Sequence, residues 1–362
     1  MEIRSGTITA LYVFDVAEQT DLRALQGLIG GGAAPRLTSK STAPAYLQYQ
    51  TPPLVVEGES VGAGMIDGFR TRFKFFDYGV VSLSLVRPFA GTWDALADVA
   101  HRYIDNAGLE AQAEAAVRAL VERGNRAMVR VRASYLAEDY LVASVHALAE
   151  PVDADGLLAL RGRTIAQLLR GEGQPLSRQE AEEVLRNRLS YLANDLVVPT
   201  WNAAFVYDTE SGAAAAVELF EFANSQLLEF RYYDMLLDGE LARIYPQVQR
   251  ATWWRNLFGG GTVKAANHLH SVFIELNELT DRTENALKIV GDIYAARIYS
   301  LIAARLGLAR WKASVEEKLK TLDDISRFAV DQVSITRGQF LELTIVLILI
   351  LELILFFLGI MR

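Results

Sequence analysis

A chain of 362 residues, 51% hydrophobic and 22% charged, with a net charge of −8 and a pI near 5.2, has the composition of a folded protein with room for about two domains. It contains no cysteine, which excludes a disulfide scaffold, thiolate metal centres and cysteine catalysis, and its four histidines leave little for a His-rich metal site. The acidic balance argues against a DNA partner.

In chain order, Thr7 to Val16 is rich in β-branched and aromatic residues and reads as a strand, and Thr20 to Ile29 has helical spacing that stops at Gly30-Gly31-Gly32. A proline-rich, loop-like stretch follows to Gly68, with a short extended piece at Leu54 to Val56. Arg72 to Phe76 and Val80 to Val86 form two apolar runs around Asp77-Tyr78-Gly79, the pattern of a tight hairpin. Trp93 to Asp105 and Leu109 to Arg123 read as helices. Met128 to Leu136 and Tyr140 to Leu148 read as a second hairpin turning at Glu138-Asp139.

Beyond Pro151 the pattern is mainly helical: Gly156 to Arg170, then Ser177 to Tyr191, opened by a capping box of Ser177 and Glu180. Asp195 to Val198 and Ala203 to Tyr207 make a small hairpin, and Ser211 to Tyr245 a long helix. Another long helix is expected from Lys264 to Leu306, where Val272, Leu276, Leu279, Val290 and Ile293 follow the four-and-three spacing of a coiled coil. With the last helix, from about Trp311, it predicts an antiparallel stalk with arms on the order of 60 Å.

The chain ends FLELTIVLILILELILFFLGIM from Phe340 to Met361, about 22 nearly unbroken apolar residues followed only by Arg362. This predicts a C-terminal transmembrane anchor over 338–362. The N-terminus lacks the features of a signal or transit peptide, so the head is expected in the cytoplasm, at a bacterial inner membrane. Glu342 falls near the entry to the span and Glu352 near its middle. Glu352 is accounted for either by protonation among apolar neighbours or by a polar partner on another copy or another membrane protein.

No cofactor or metal is expected, and no catalytic motif is present. Asp77-Tyr78-Gly79 has the ordinary residues of a turn. His268 and His270 point about 200° apart on a helix, and Gly259-Gly260-Gly261-Thr262-Val263-Lys264 lacks the spacing of a phosphate loop. The basic run Arg118, Arg123, Arg126, Arg130 and Arg132 is interleaved with Glu114 and Glu122, as in a solvated face. Trp253, Trp254 and Phe258 around Arg255 suit either a membrane interface or a plug between domains.

Three segments resemble the "required for meiotic nuclear division" family (Rmd/YagE). Phe75-Phe76-Asp77-Tyr78-Gly79-Val80-Val81 is similar to its FFDYGVV signature, though the chain continues Ser82-Leu83-Ser84-Leu85 where that family has Val-Phe-Trp. Leu227 to Asp234 is similar to its long-helix pattern, and Glu342 and Glu352, ten apart in a terminal apolar helix, match its tail. The resemblance implies a non-enzymatic, oligomeric, membrane-tethered protein, with organelle members that support translation at the inner membrane. The resulting expectation is an α+β head over 1–150 with a mixed or antiparallel sheet, a helix-rich extension with a hairpin over 151–262, a coiled-coil stalk over 263–337 and the anchor. Its partners would be the lipid bilayer, other copies of itself, and other membrane proteins or the translation machinery. It would serve as a tail-anchored, homo-oligomeric scaffold. The alternative is a membrane-bound sensor or enzyme with a ligand site in the head.

Overall fold

A computed structural model describes residues 1–33, 46–49, 51–249, 274, 287–290 and 293–357. The strands are β1 (Ile3–Asp15), β2 (Gln19–Thr20), β3 (Gly32–Ala33), β4 (Tyr46–Tyr49), β5 (Leu54–Glu57), β6 (Met65–Ile66), β7 (Phe69–Phe75), β8 (Val80–Gly91), β9 (Met128–Val129), β10 (Leu136–Leu148), β11 (Leu196–Pro199), β12 (Ala203–Tyr207) and β13 (Leu287–Val290). The helices are α1 (Leu22–Ile29), α2 (Trp93–Tyr103), α3 (Ala107–Gly124), α4 (Ala154–Arg170), α5 (Arg178–Arg186), α6 (Glu210–Gln249), α7 (Ile293–Leu306) and α8 (Leu308–Phe357).

Two compact units divide the chain. The first comprises Met1–Tyr232 and Asp281–Trp311, the second Tyr233–Thr280 and Lys312–Arg362. In the first unit the main sheet runs β11-β12-β10-β1-β8-β7-β5-β3, with β6 beside β7. It is antiparallel except where β10 pairs parallel with β12, so residues up to Tyr207 share one sheet with the N-terminal strand. That parallel pair needs a crossover, and α4, α5 and β11 provide it.

The pleat sorts the strand residues by face. On one face Ala10, Tyr12, Phe14, Phe73, Phe75, Leu83, Leu85, Ala143 and Phe205 join a core with Trp93, Leu96, Val117, Leu120, Leu157 and Ile165. On the other, Val13, Val80, Phe76 and Tyr78 pack against Phe222 and Leu228 of α6. Each helix of the first face opens on a residue whose side chain accepts a free backbone N–H: Asp21, Thr92, Asn106, Asp153 and Ser177.

Several expectations are corrected. The hairpin turning at Glu138-Asp139 does not form. β10 is one strand through both residues, with Glu138 opposite Val13 and Asp139 opposite Tyr12 of β1, while Met128–Val129 pairs with β2. Their carboxylates looked like turn residues, but the flanking apolar alternation continues through them. The unbroken helix from Lys264 to Leu306 is interrupted by β13, whose β-branched Ile289 and Val290 pair with Leu47 and Tyr46 of β4. Val290 is thus a strand residue, and Ile293, exposed at the first position of α7, is not on a continuous seam with it. Val272, Leu276, Leu279, Trp253, Trp254, Phe258, His268, His270 and Gly259 to Lys264 lie outside the described residues.

In the second unit, the end of α6 and the start of α8 are joined by polar contacts. Ser314 Oγ donates to Asp234 at 2.6 Å, and Lys318 Nζ lies 2.7 Å from carboxylate oxygens of both Asp234 and Asp238. Leu237, Val315, Leu319 and Leu322 are buried. Of the antiparallel stalk expected over 263–337, residues 263–273, 275–286, 291 and 292 lie outside the described residues.

The transmembrane anchor is also corrected. Among the described residues, no helix is long and apolar enough to cross a membrane. Glu342 and Glu352 are exposed carboxylates on the same helix. The membrane, transmembrane, tail-anchored and scaffold assignments lose their structural basis with it.

Candidate functional site

The α6 face of the sheet carries an unusual number of buried polar side chains. Lys74 of β7 is 4% exposed, alternating with Phe73 and Phe75 so that it points toward α6. Its ammonium lies 2.7 Å from Glu218 Oε1 and also contacts Glu221, both on α6 and three residues apart on one helical face. Tyr49 donates its hydroxyl to Glu218 Oε1 at 2.6 Å, and Ser84 Oγ donates to Glu221 Oε1 at 3.3 Å. Burial works to lower the Lys74 pKa, but the two carboxylates outweigh it and hold the ammonium above its usual range. Burial pushes Glu218 upward, yet Lys74 and Tyr49 hold it below the usual carboxylate range. Both members of the pair are thus held ionised. The cluster joins sheet, helix and the β4 segment through one cation.

The Phe76-Asp77-Tyr78-Gly79 turn sits beside this cluster. Phe76 and Tyr78 stack with centroids 5.1 Å apart and are 2% and 1% exposed. The Tyr78 hydroxyl shares a 2.8 Å hydrogen bond with Ser225 Oγ, and Ser225 donates in turn to the Phe222 carbonyl at 2.7 Å. Burial drives the Tyr78 pKa well above its ordinary value, so the phenol stays neutral. The Asp77 carbonyl accepts from Thr20 N of β2 at 2.9 Å, which docks the turn against that short strand. Replacing Tyr78 with Phe should cost about 1 kcal/mol in a denaturant titration, because it removes one buried hydrogen bond and keeps the ring. A cost of 3 kcal/mol or more would mean that the hydroxyl does more than tie the turn to α6.

At the end of this face lie two further pairs. Arg132 Nε reaches Asp15 at 3.0 Å and its guanidinium lies 3.9 Å from the Tyr232 ring centroid. Arg231 contacts Glu138 and lies 6.0 Å from the Trp311 ring centroid. Burial raises Asp15 to about 6 against the opposing effect of Arg132, and raises Glu138 to about 7 against that of Arg231.

These polar groups are tied together in pairs and small networks, the arrangement of a structural core rather than of a poised nucleophile and base. Among the described residues no group of three or more His, Asp or Glu could hold a metal ion. Lys74, Glu218, Glu221, Asp15, Arg132 and Arg231 were not singled out for this network from the sequence. The available sign was a lysine at a strand's inward position, in Phe73-Lys74-Phe75, facing a helix that carries Glu221 between Phe220 and Phe222.

Residues 5–214 match the family described as "Uncharacterized protein MJ0711, N-terminal domain". The chain belongs to this family. A relative from Methanocaldococcus jannaschii, "Uncharacterized protein MJ0711", is 25% identical over 222 residues, covering 61% of this chain and 67% of the relative. No solved structure matches the chain. The MJ0711 N-terminal region contains every strand of the main sheet, the Phe76 to Gly79 turn, Lys74, Asp15 and Glu138. It stops in the first turns of α6, before Glu218, Glu221, Ser225 and Arg231. The polar face is therefore built half inside the family region and half just beyond it.

Proposed function

We propose that the chain is a non-enzymatic assembly protein that works as a homo-oligomer, with the apolar end of α8 covered by the same segment of neighbouring copies. The observation that supports this is the exposure of Ile345, Val346, Leu347, Ile348, Leu349, Ile350, Leu351, Leu353 and Ile354, each between 48% and 60%. Seven of them are consecutive, so they surround the helix, and a helix that is apolar all round belongs in apolar surroundings. Half-burying such a side chain is worth about 1 kcal/mol, so these nine represent on the order of 10 kcal/mol, comparable to a whole domain's stability. A single partner helix covers one side only, which favours a bundle of several copies. The oligomeric, non-enzymatic character implied by the Rmd/YagE resemblance agrees with this reading.

The test is the particle mass of the full chain in mild detergent, compared with a Leu347→Glu, Leu351→Glu variant. The expected result is a defined oligomer that the variant reduces toward the monomer. An oligomer unchanged by both charges would exclude this segment as the interface. A monomer that instead floats with lipid vesicles would replace the second copy by a lipid surface and overturn the self-association reading.

A further inference from the structure

The apolar end of α8 carries one charged side chain in its midst. Glu352 is exposed between Leu351 and Leu353, within the run from Ile345 to Ile354 whose other side chains are all apolar and exposed. Copies that cover this helix on every side cover the carboxyl with it. No basic residue stands between Gly338 and Met361 to offset its charge, and the nearest in sequence are Arg337 and Arg362. The other acid of the stretch, Glu342, lies nearly three turns earlier on α8, about 15 Å away, too far to share a proton with it.

The way the copies are arranged decides whether this carboxyl finds a partner. In an antiparallel pairing centred on Ile345 to Ile354, Glu352 falls opposite Leu347 and is left among apolar side chains. In a parallel, in-register pairing each Glu352 meets the Glu352 of its neighbour. Two ionised carboxylates there repel, whereas a pair that holds a proton between its members forms a hydrogen bond in place of the water each has lost. A lone polar residue at a buried position of a helical seam fixes register and orientation in this way, at some cost in stability. We propose that copies of the chain associate through α8 in parallel and in register, with neighbouring Glu352 carboxyls side by side and sharing protons. The inference rests on the assembly reading above and adds to it an orientation, a register and a dependence on acidity.

The chain has no cysteine, so single cysteine substitutions report the orientation without background. Leu351→Cys, Leu353→Cys and Ile354→Cys sample three sides of the helix. Under mild oxidation of the full chain in mild detergent, at least one of them should form a disulfide-linked dimer with its own copy. Disulfides formed instead between Leu353→Cys and Val346→Cys in a mixture of the two variants would show the antiparallel pairing and overturn the proposal. Acidity gives the second measurement. A pair that holds a proton when assembled and releases it when apart takes up that proton on assembly, so a low pH favours the oligomer and a rising pH dissociates it. The dissociation constant of the parent should rise roughly tenfold between pH 6 and pH 8, while Glu352→Gln, whose amides hydrogen-bond without a proton, should stay assembled and respond little. An oligomer with the same dissociation constant at both pH values, or a Gln variant that responds as strongly as the parent, would overturn the proposal while leaving the assembly reading intact. A parent that is monomeric at both pH values would overturn the two together.

Discussion

Replacing Lys74 with Met is expected to destabilise the first unit by about 3–5 kcal/mol, because it leaves two carboxylates buried without their counter-charge. Glu218 and Glu221 share this one ammonium, with Glu221 fully buried and the Glu218 side chain only 16% exposed, so most of the cost of burying them returns when the lysine is removed. Denaturant titration of the full chain in detergent measures the loss. The triple variant Lys74→Met, Glu218→Gln, Glu221→Gln should recover most of it, since the amides can hydrogen-bond without carrying charge. Lowering the pH toward 5 should also narrow the gap between Lys74→Met and the parent, because a carboxylate that takes up a proton no longer needs the lysine. A single-variant cost below about 1 kcal/mol would mean that Lys74 is not the group that offsets the buried acids.

The second large effect is expected at Gly79. Its φ of 86° lies in the left-handed region, where a side chain costs about 1–2 kcal/mol. The neighbourhood makes matters worse: a Cβ there would lie 1.9 Å from the Ala17 carbonyl oxygen, which is backbone and has no side-chain freedom with which to yield. The Gly79 carbonyl also accepts from Val16 N at 3.1 Å and Ala17 N at 3.2 Å, so any shift to relieve the clash breaks the seam between the turn and the end of β1. Gly79→Ala should therefore cost about 3 kcal/mol or more in the same titration. Gly62, with a similar φ of 79° but nothing within 4 Å of its added Cβ, is the control and should lose only the conformational part. Equal losses at the two positions would show that the close approach to Ala17 is unimportant.

The contrast between these two sites explains what could be read from the sequence. Asp77-Tyr78-Gly79 was legible as a turn because its reason is local: Gly79 supplies a backbone conformation, and the runs on either side alternate as strands do. Ser177 was legible as a cap for the same reason, and the structure shows its side chain accepting from Glu180 N. Lys74, Glu218 and Glu221 were not legible, because a lone charge in a strand or helix ordinarily faces water and only the tertiary pairing keeps it inside. Glu138-Asp139 misled in the opposite direction, with acidic residues that imitate a turn but lie within a continuous ladder. The four-and-three spacing through Val290 misled because apolar residues at such intervals also occur in a short β-branched strand, and the partner strand, β4, lies more than 200 residues earlier in the chain.

The position of β1 in the middle of the sheet has a consequence for how the molecule comes into being. Its neighbours are β8, beginning at Val80, and β10, beginning at Leu136, so the strand synthesised first has nothing to pair with until much of the chain has followed it. At ordinary rates of translation its Leu11-Tyr12-Val13-Phe14 segment waits on the order of ten seconds with both edges bare. A nascent chain in that condition is a natural client for a ribosome-associated chaperone, and slowing synthesis between Val80 and Leu136 would lengthen the interval in which aggregation competes with folding.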